Sequence, residues 1–238
     1  SNRGSQGFSS VWRSSTNEKV VAPPLPALPI GQIWERVLVS PTAVTCEDKQ
    51  SNYAILRLAP DKLDGQIVFW AAGGTSGRVT IGDFPVGPNT KSVAWSPDYG
   101  DYWSKITPKI AVQDMAAESS TILYILSLEG QVQKLSYSGT GWSSAINIVR
   151  TNTAGGHTIE AMAPDKVLVG NSFNKSTPFP ASISTNGGAS FIPMIRPLQT
   201  PASIGYHAIF DTEYARSGKI YVGNDGNGAG LVYRNDAP

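Results

Sequence analysis

The chain has 238 residues with a formal net charge of +1, and its 19 basic residues are scattered singly along the sequence. The absence of a basic stripe that could follow a phosphate backbone argues against nucleic acid as a partner. No apolar run approaches the length that crosses a bilayer, and the single cysteine, Cys46, excludes an intramolecular disulfide and a thiolate-rich metal site.

Residues 1–50 predict a partial β unit that is interrupted by a proline-rich, apolar segment at 20–29. Proline lacks the N–H group that a central strand donates, so this segment does not fit the interior of a sheet. We interpret it as an extended strap that lies over a neighbouring surface, either of the same domain or of an adjacent subunit.

From residue 51 onward, a pattern of short apolar runs recurs. Its first run ends in similar segments, Arg57–Asp61, Asp114–Glu118 and Ala161–Asp165, each with alanine in third place, and Ala208–Asp211 is a looser fourth copy. The copies start 57, 47 and 47 residues apart, so the first unit carries an insertion, which we place at 73–89.

Each unit continues with a second and a third apolar run, and the complete units add a fourth, as at Ala145–Val149. Runs of β-branched and aromatic residues separated by Gly, Asn and Ser predict the strands of a meander. Four strands in every 40–50 residues or so are typical of a β-propeller. We therefore predict an all-β propeller of four-stranded antiparallel blades, with about four full blades and partial blades at the ends. The approximate blade ranges are 51–108, 109–155, 156–203 and an incomplete 204–238.

The turns between third and fourth strands carry a second repeated motif. Two copies fit the pattern Ser-x-Asp-x-Gly-x-x-Trp, the second with Asn for Asp and Phe for Trp, and a shortened copy at Ser136–Trp142 lies between them. A short Asp or Asn side chain accepts backbone N–H bonds, Gly adopts angles that other residues resist, and the aromatic side chain packs between sheets. We assign a structural role to Ser96, Asp98, Gly100, Trp103, Ser184, Asn186, Gly188 and Phe191.

These boxes and the blade spacing make residues 50–238 similar to the BNR/Asp-box propeller superfamily, which includes sialidases, xyloglucan-type glycoside hydrolases, sortilin-like receptors and photosystem-assembly factors. The segments Phe210–Ala215, Lys219–Val222 and Gly230–Arg234 resemble most closely the secreted and surface-anchored bacterial repeat proteins. That resemblance implies an extracellular shell, S-layer-like lattice or adhesion module. We also expect this sequence to be part of a longer polypeptide, or its missing strands to come from elsewhere.

No complete catalytic set is visible in the sequence. The Arg-Ile-Pro motif expected near the start of a sialidase is absent. A glycoside hydrolase needs two facing carboxylates, but acidic residues that recur at blade spacing fit a turn role better than a catalytic one. Glu160 and Glu213 do not recur in this way and remain binding or catalytic candidates, although nothing in the sequence pairs them.

Metal and cofactor sites are incomplete as well. His157 and His207 lie near the starts of successive first strands, where they fit either a ring of imidazoles at the propeller mouth or, more simply, a repeated strand-edge residue. Two histidines alone do not make a zinc site. Asp225 and Asn227 resemble half of a calcium loop that lacks its closing Glu. We therefore predict no cofactor, with calcium as the one alternative.

The interpretation that we prefer is a non-catalytic module at the bacterial cell surface or outside the cell. It would bind other protein subunits or surface glycans and would form a homo-oligomer or lattice. Two alternatives stay open, a carbohydrate-active enzyme and a protein-assembly factor.

Overall fold

A computed structural model describes thirteen segments of the chain. They are residues 10–14, 34–39, 53–62, 66–73, 79–81, 84–86, 91, 93–143, 147–151, 155–172, 179–194, 205–224 and 232–236. The proline-rich segment 20–29, Asp225 and Asn227 lie outside them. No helix among these segments is long and apolar enough to cross a membrane.

The N-terminal part contains a separate strand pair and the first blade. Strands β1 (Ser10–Ser14) and β2 (Trp34–Val39) pair antiparallel. The first blade has the strand order β3-β4-β7-β8, and the short hairpin β5-β6 falls within the predicted insertion at 73–89. These strands are β3 (Tyr53–Leu58), β4 (Val68–Gly73), β5 (Val79–Ile81), β6 (Phe84–Val86), β7 (Val93–Ser96) and β8 (Ser104–Ile106).

The second and third blades are four-stranded antiparallel meanders. In the second blade, the outer strand β12 begins at Ile148, three residues after the predicted start at Ala145. The second blade consists of β9 (Asp114–Ser119), β10 (Ile122–Leu126), β11 (Gln131–Ser136) and β12 (Ile148–Arg150), and the third of β13 (Gly156–Met162), β14 (Lys166–Asn171), β15 (Ala181–Ser184) and β16 (Ile192–Pro193).

The fourth blade has three described strands, β17 (Tyr206–Phe210), β18 (Lys219–Asn224) and β19 (Val232–Asp236). A one-turn helix, α1 (Tyr214–Ser217), joins its first two strands. The helix ends at Gly218, which has φ 60° and donates its backbone N–H to the Tyr214 carbonyl. Glycine suits this left-handed position because it has no Cβ.

The first strands of the blades lie next to one another, β3 against β9, β9 against β13 and β13 against β17. In β17, buried and exposed residues alternate, so that one face packs on the core and the other is open. The third strands β7 and β15 are buried along their whole length, because neighbouring structure covers both faces. This arrangement of antiparallel blades around a common centre is that of a β-propeller, as the sequence predicted.

Among the described residues, three apolar cores fill the spaces between successive blades. One joins the first and second blades around Phe69 and Leu123, one joins the second and third around Tyr124 and Val167, and one joins the third and fourth around Leu168 and Ile220. Each core draws on two adjacent blades, so the apolar burial that drives folding holds neighbouring blades together.

Candidate functional site

The first box turn is closed by its own side chains. The Ser96 hydroxyl accepts the backbone N–H of Gly100 at 2.8 Å and donates to Asp98 Oδ1 at 2.9 Å. Asp98 Oδ1 also accepts the N–H of Tyr102, and the Trp103 indole N–H donates to the Gly100 carbonyl, both at 2.8 Å. These bonds satisfy backbone groups that the reversal of the chain takes out of the strand ladder.

The second box turn repeats this pattern. Ser184 Oγ accepts the N–H of Gly188 and donates to Asn186 Oδ1, both at 2.9 Å, and Asn186 Oδ1 accepts the N–H of Ser190 at 3.0 Å. Two successive residues have positive φ in each turn, 61° and 94° at residues 99 and 100, and 67° and 79° at residues 187 and 188. The two segments therefore share both hydrogen-bond pattern and backbone shape.

The aromatic residue of a box packs toward the preceding blade. Phe191 is 5% exposed and belongs to the core that contains Tyr124 of the second blade. Trp142, from the shortened copy, meets Phe69 and Trp95 of the first blade edge-on, with ring centroids 5.5 and 5.7 Å apart. Trp103 is half-buried. The box side chains are thus engaged in turns and in packing between blades.

The acidic residues at the ends of first strands join blades to one another. Asp61 accepts the backbone N–H of Ser120 at 2.6 Å and its hydroxyl at 2.7 Å. Glu118, which is buried, accepts the Tyr124 hydroxyl at 2.7 Å and the N–H of Asp165 at 3.0 Å. Burial and this bond to Glu118 raise the pKa of Tyr124. These carboxylates therefore connect a strand end in one blade to a turn in the next.

A cavity of about 400 Å³ lies along the inner faces of β3, β9, β13 and β17. Its wall combines charged side chains with exposed apolar ones, of which Leu58 and Ile209 are each 54% exposed. The polar groups on this wall are Arg57, Asp114, Thr158, Glu160 and His207.

Arg57 and Asp114 form an ion pair across the first and second blades. Arg57 Nη2 lies 2.8 Å from Asp114 Oδ1, and Arg57 Nε donates to the Met115 carbonyl at 2.8 Å. Asp114 also accepts the N–H groups of Met115 at 2.8 Å and Ile159 at 2.9 Å. Burial raises the pKa of Asp114, and the Arg57 charge and the two N–H bonds oppose that rise.

Glu160 accepts the backbone N–H of Phe210 through Oε2 at 2.6 Å, which joins the third blade to the fourth. Burial raises the pKa of this carboxyl group, while the Phe210 N–H and the more distant Arg57 act in the opposite direction. Its protonated form is thereby favoured in the folded protein relative to the unfolded chain.

We expect Glu160→Gln to be at least as stable as the parent chain at pH 7, with an advantage that shrinks toward pH 4. The amide oxygen can still accept the Phe210 N–H, and the buried charge is removed. Because the folded pKa lies above the ordinary 4.5, the parent chain loses stability from this group as the pH rises through the folded value. Urea unfolding at pH 4, 5.5 and 7 measures the difference. A variant that is less stable than the parent chain by the same amount at all three pH values would contradict a raised pKa for Glu160.

The two histidines of the chain lie together beside this cavity. His157 on β13 and His207 on β17 approach with their Nε2 atoms 3.3 Å apart, and the rings meet edge-to-face at 74°. His157 also packs against Gly205, where an added Cβ would lie 2.5 Å from His157 Nε2. The fold therefore joins three of the four predicted binding candidates, His157, His207 and Glu160, along two neighbouring strands.

Glu213 is positioned elsewhere, as the residue before α1, where it forms an ion pair with Arg216. It does not line the cavity. Within the described segments, no group of three or more His, Cys, Asp or Glu side chains is arranged to hold a metal ion.

Arg57 and Asp114 were not expected in the cavity from the sequence, although both open the repeated segment and place opposite charges in consecutive units. In the structure Arg57 is the next-to-last residue of β3, whereas Asp114 is the first residue of β9. The ion pair therefore depends on how the adjacent first strands are offset, which the repeat alone does not predict.

Comparison with known proteins gives no family assignment. No family model matches the sequence, and no curated protein matches it. Among solved structures, the chain is similar to YCF48 from Cyanidioschyzon merolae, with 10% identity and a TM-score of 0.44 over 80% of this chain and 58% of that one. It is also similar to a chain in the S. cerevisiae complex of dbp5 with nup159, gle1, IP6 and ADP, with 7% identity and a TM-score of 0.39 over 86% and 53%. The chain thus spans less than two thirds of either protein. The description of the fold depends on its own sheet topology and not on these similarities.

Proposed function

We propose that this chain is a non-catalytic β-propeller module of the BNR/Asp-box type that binds a protein subunit or a surface glycan outside the bacterial cell. The observation that carries the proposal is that the carboxylates beside the cavity are held by partners within the protein. Asp114 is engaged by Arg57 and two backbone N–H groups, and Glu160 by the Phe210 N–H. A glycoside hydrolase instead needs two carboxyl groups directed at its substrate.

The box turns support the choice of family type. Both turns use a serine hydroxyl and the side-chain oxygen Oδ1 of Asp or Asn to accept N–H groups four residues further along the chain. The aromatic side chain that follows the second turn is buried against the preceding blade. Because the box residues serve the turns and the packing between blades, binding falls to the loops and to the inner faces of the strands.

The cavity wall offers a surface suited to a partner. Leu58 and Ile209 present exposed apolar area beside the charged Arg57 and the polar His207. Mixed apolar and polar walls of this kind provide contact area from the apolar side chains and orientation from the polar ones.

The binding proposal is tested with the double variant Leu58→Asp/Ile209→Asp. We expect it to lose at least tenfold in affinity for surface glycans or for an extracellular protein subunit that the parent chain binds, because two charges would enter the apolar part of the contact. Leu128→Asp is the matched control, since Leu128 is 59% exposed and lies away from the cavity wall. Equal binding by all three proteins would remove the cavity from the proposal, and confinement of the native protein to the cytoplasm would contradict its extracellular part.

One observation favours a second function, that of a carbohydrate-active enzyme. Glu160 lines the cavity and its pKa is raised by burial, as in a general acid that donates a proton near neutral pH. Hydrolysis of a polysaccharide that Glu160→Gln abolishes would establish this alternative and overturn the non-catalytic proposal. A single stoichiometric protein that co-purifies with the chain, without glycan binding, would favour an assembly factor.

A further inference from the structure

The fold places the two histidines of this 238-residue chain in contact, although 50 residues separate them in the sequence. Their Nε2 atoms are 3.3 Å apart, while the ring centroids are 4.7 Å apart. The two Nε2 atoms are therefore closer to each other than the rings are, and the rest of each ring points away from the other.

This separation matches the geometry of two imidazoles on one metal ion. A tetrahedral zinc ion with Zn–N bonds of about 2.0–2.1 Å holds two ligand nitrogens roughly 3.3–3.4 Å apart. A hydrogen bond between two neutral rings gives a similar distance, so the nitrogen atoms need not move apart to bind an ion. Each ring turns to direct its lone pair at the ion, which lies to one side of the line between the two nitrogen atoms.

The backbone around both histidines is held in place independently of the rings. Thr158, next to His157, donates its hydroxyl to the Tyr206 carbonyl at 3.1 Å and accepts the N–H of Ala208 at 3.4 Å. Tyr206 and Ala208 flank His207 on both sides, so one threonine fixes the two histidine-bearing strands relative to each other. Such support lowers the entropic cost of bringing two ligands to one ion.

The surroundings admit a cation. His207 is exposed and lines the cavity, so an ion can reach the pair from that side. The carboxylates of Asp114 and Glu160 lie on the same wall and favour a positive ion nearby. Arg57, which is paired with Asp114, acts in the opposite direction. Since no third His, Cys, Asp or Glu ligand stands beside the pair among the described residues, water or a donor from a bound partner would complete the coordination.

We propose that His157 and His207 form an open, exchangeable site for a divalent transition-metal ion of the zinc and copper class. Imidazole ligands select these ions over Mg²⁺ and Ca²⁺, which prefer oxygen donors. The site adds metal binding to the chain and stands independently of the partner-binding function proposed above.

Titration of the tag-free, chelator-treated chain with Zn²⁺ tests the site directly. Because the chain has two histidines, its NMR spectrum contains two imidazole spin systems, and we expect both to shift together and to saturate at one ion per chain. Free Zn²⁺ at ten times its Kd multiplies the folding constant by about eleven and raises the Tm by about 3–6 °C. Mg²⁺ and Ca²⁺ at the same concentration should change neither measurement.

Three variants separate metal binding from a structural effect. His207→Gln should weaken Zn²⁺ binding at least tenfold, because one imidazole cannot chelate. Gly205→Ala retains both histidines but places a methyl carbon 2.5 Å from His157 Nε2, so the ring must shift, and the variant should also weaken binding. Leu128→Gln, at a residue that is 59% exposed and lies outside the cavity wall, should bind Zn²⁺ like the parent chain.

Equal Zn²⁺ affinity for the parent chain and His207→Gln would overturn the proposal, as would a titration in which only one imidazole or neither one shifts. The histidines would then be a hydrogen-bonded pair without a metal role. If Gly205→Ala does not fold, the comparison between His207→Gln and Leu128→Gln still decides the result.

Discussion

Gly170→Ala is expected to lower the free energy of unfolding by about 3 kcal/mol or more, or to prevent folding altogether. A Cβ at residue 170 would lie 2.0 Å from the Tyr206 carbonyl oxygen and 2.6 Å from Thr158 Oγ1. The nearest atom belongs to the backbone of β17, so it cannot turn aside as a flexible side chain would. The third and fourth blades would have to separate to make room for one methyl group.

Urea unfolding measures this effect, with Gly141→Ala as the matched control. An added Cβ at residue 141 meets no atom within 4 Å, so we expect that substitution to change the stability by no more than about 0.5 kcal/mol. If the two variants unfold at the same urea concentration, the Tyr206 carbonyl does not pack against Gly170, and β14 and β17 lie further apart.

Phe191→Ala should destabilise the protein by about 3–5 kcal/mol, the range typical of a phenylalanine removed from a packed core. Phe191 is 5% exposed and contributes to the core shared by Tyr124 and Val132 of the second blade and Val167 of the third. Its removal leaves a void between two blades, and their backbones are held apart by their own strand ladders. The core can therefore collapse only in part.

The neighbouring residue provides the control for this prediction. Ile192 is 49% exposed, and Ile192→Ala should cost less than about 1 kcal/mol, because little apolar area returns to water. Thermal and urea unfolding of both variants give the comparison. A loss of similar size in the two variants would contradict this prediction. It would mean that Phe191 contributes to stability by supporting β16 and not by filling the space between the blades.

The sequence was informative wherever an interaction is local. Each box turn is closed by contacts between residues two to four positions apart, such as Ser184 to Gly188, so a short pattern of residue types predicts its role. The apolar runs likewise predicted the strands of the first three blades. The helix α1 was missed, since four residues hold little periodicity, although Gly218 at its C-terminus was a local signal.

The cavity could not be assembled from the sequence in the same way. Arg57 reaches Asp114 over 57 positions, and His157 reaches His207 over 50. These distances depend on how closely successive blades stack, which is determined by the side chains between them and by close approaches such as that of Gly170 to Tyr206. A repeat pattern gives the order of the blades but not the spacing between them.

Three carboxylates in or just after first strands reach forward along the chain. Asp61 reaches Ser120, Glu118 reaches Asp165, and Glu160 reaches Phe210, in each case from one blade to the backbone of the next. In thermodynamic terms the stack is a chain of nearest-neighbour couplings, in which the cohesion of the whole is a sum over successive interfaces. Loss of the coupling between the third and fourth blades would therefore leave that between the first and second intact, and partial unfolding would progress inward from the weakened interface.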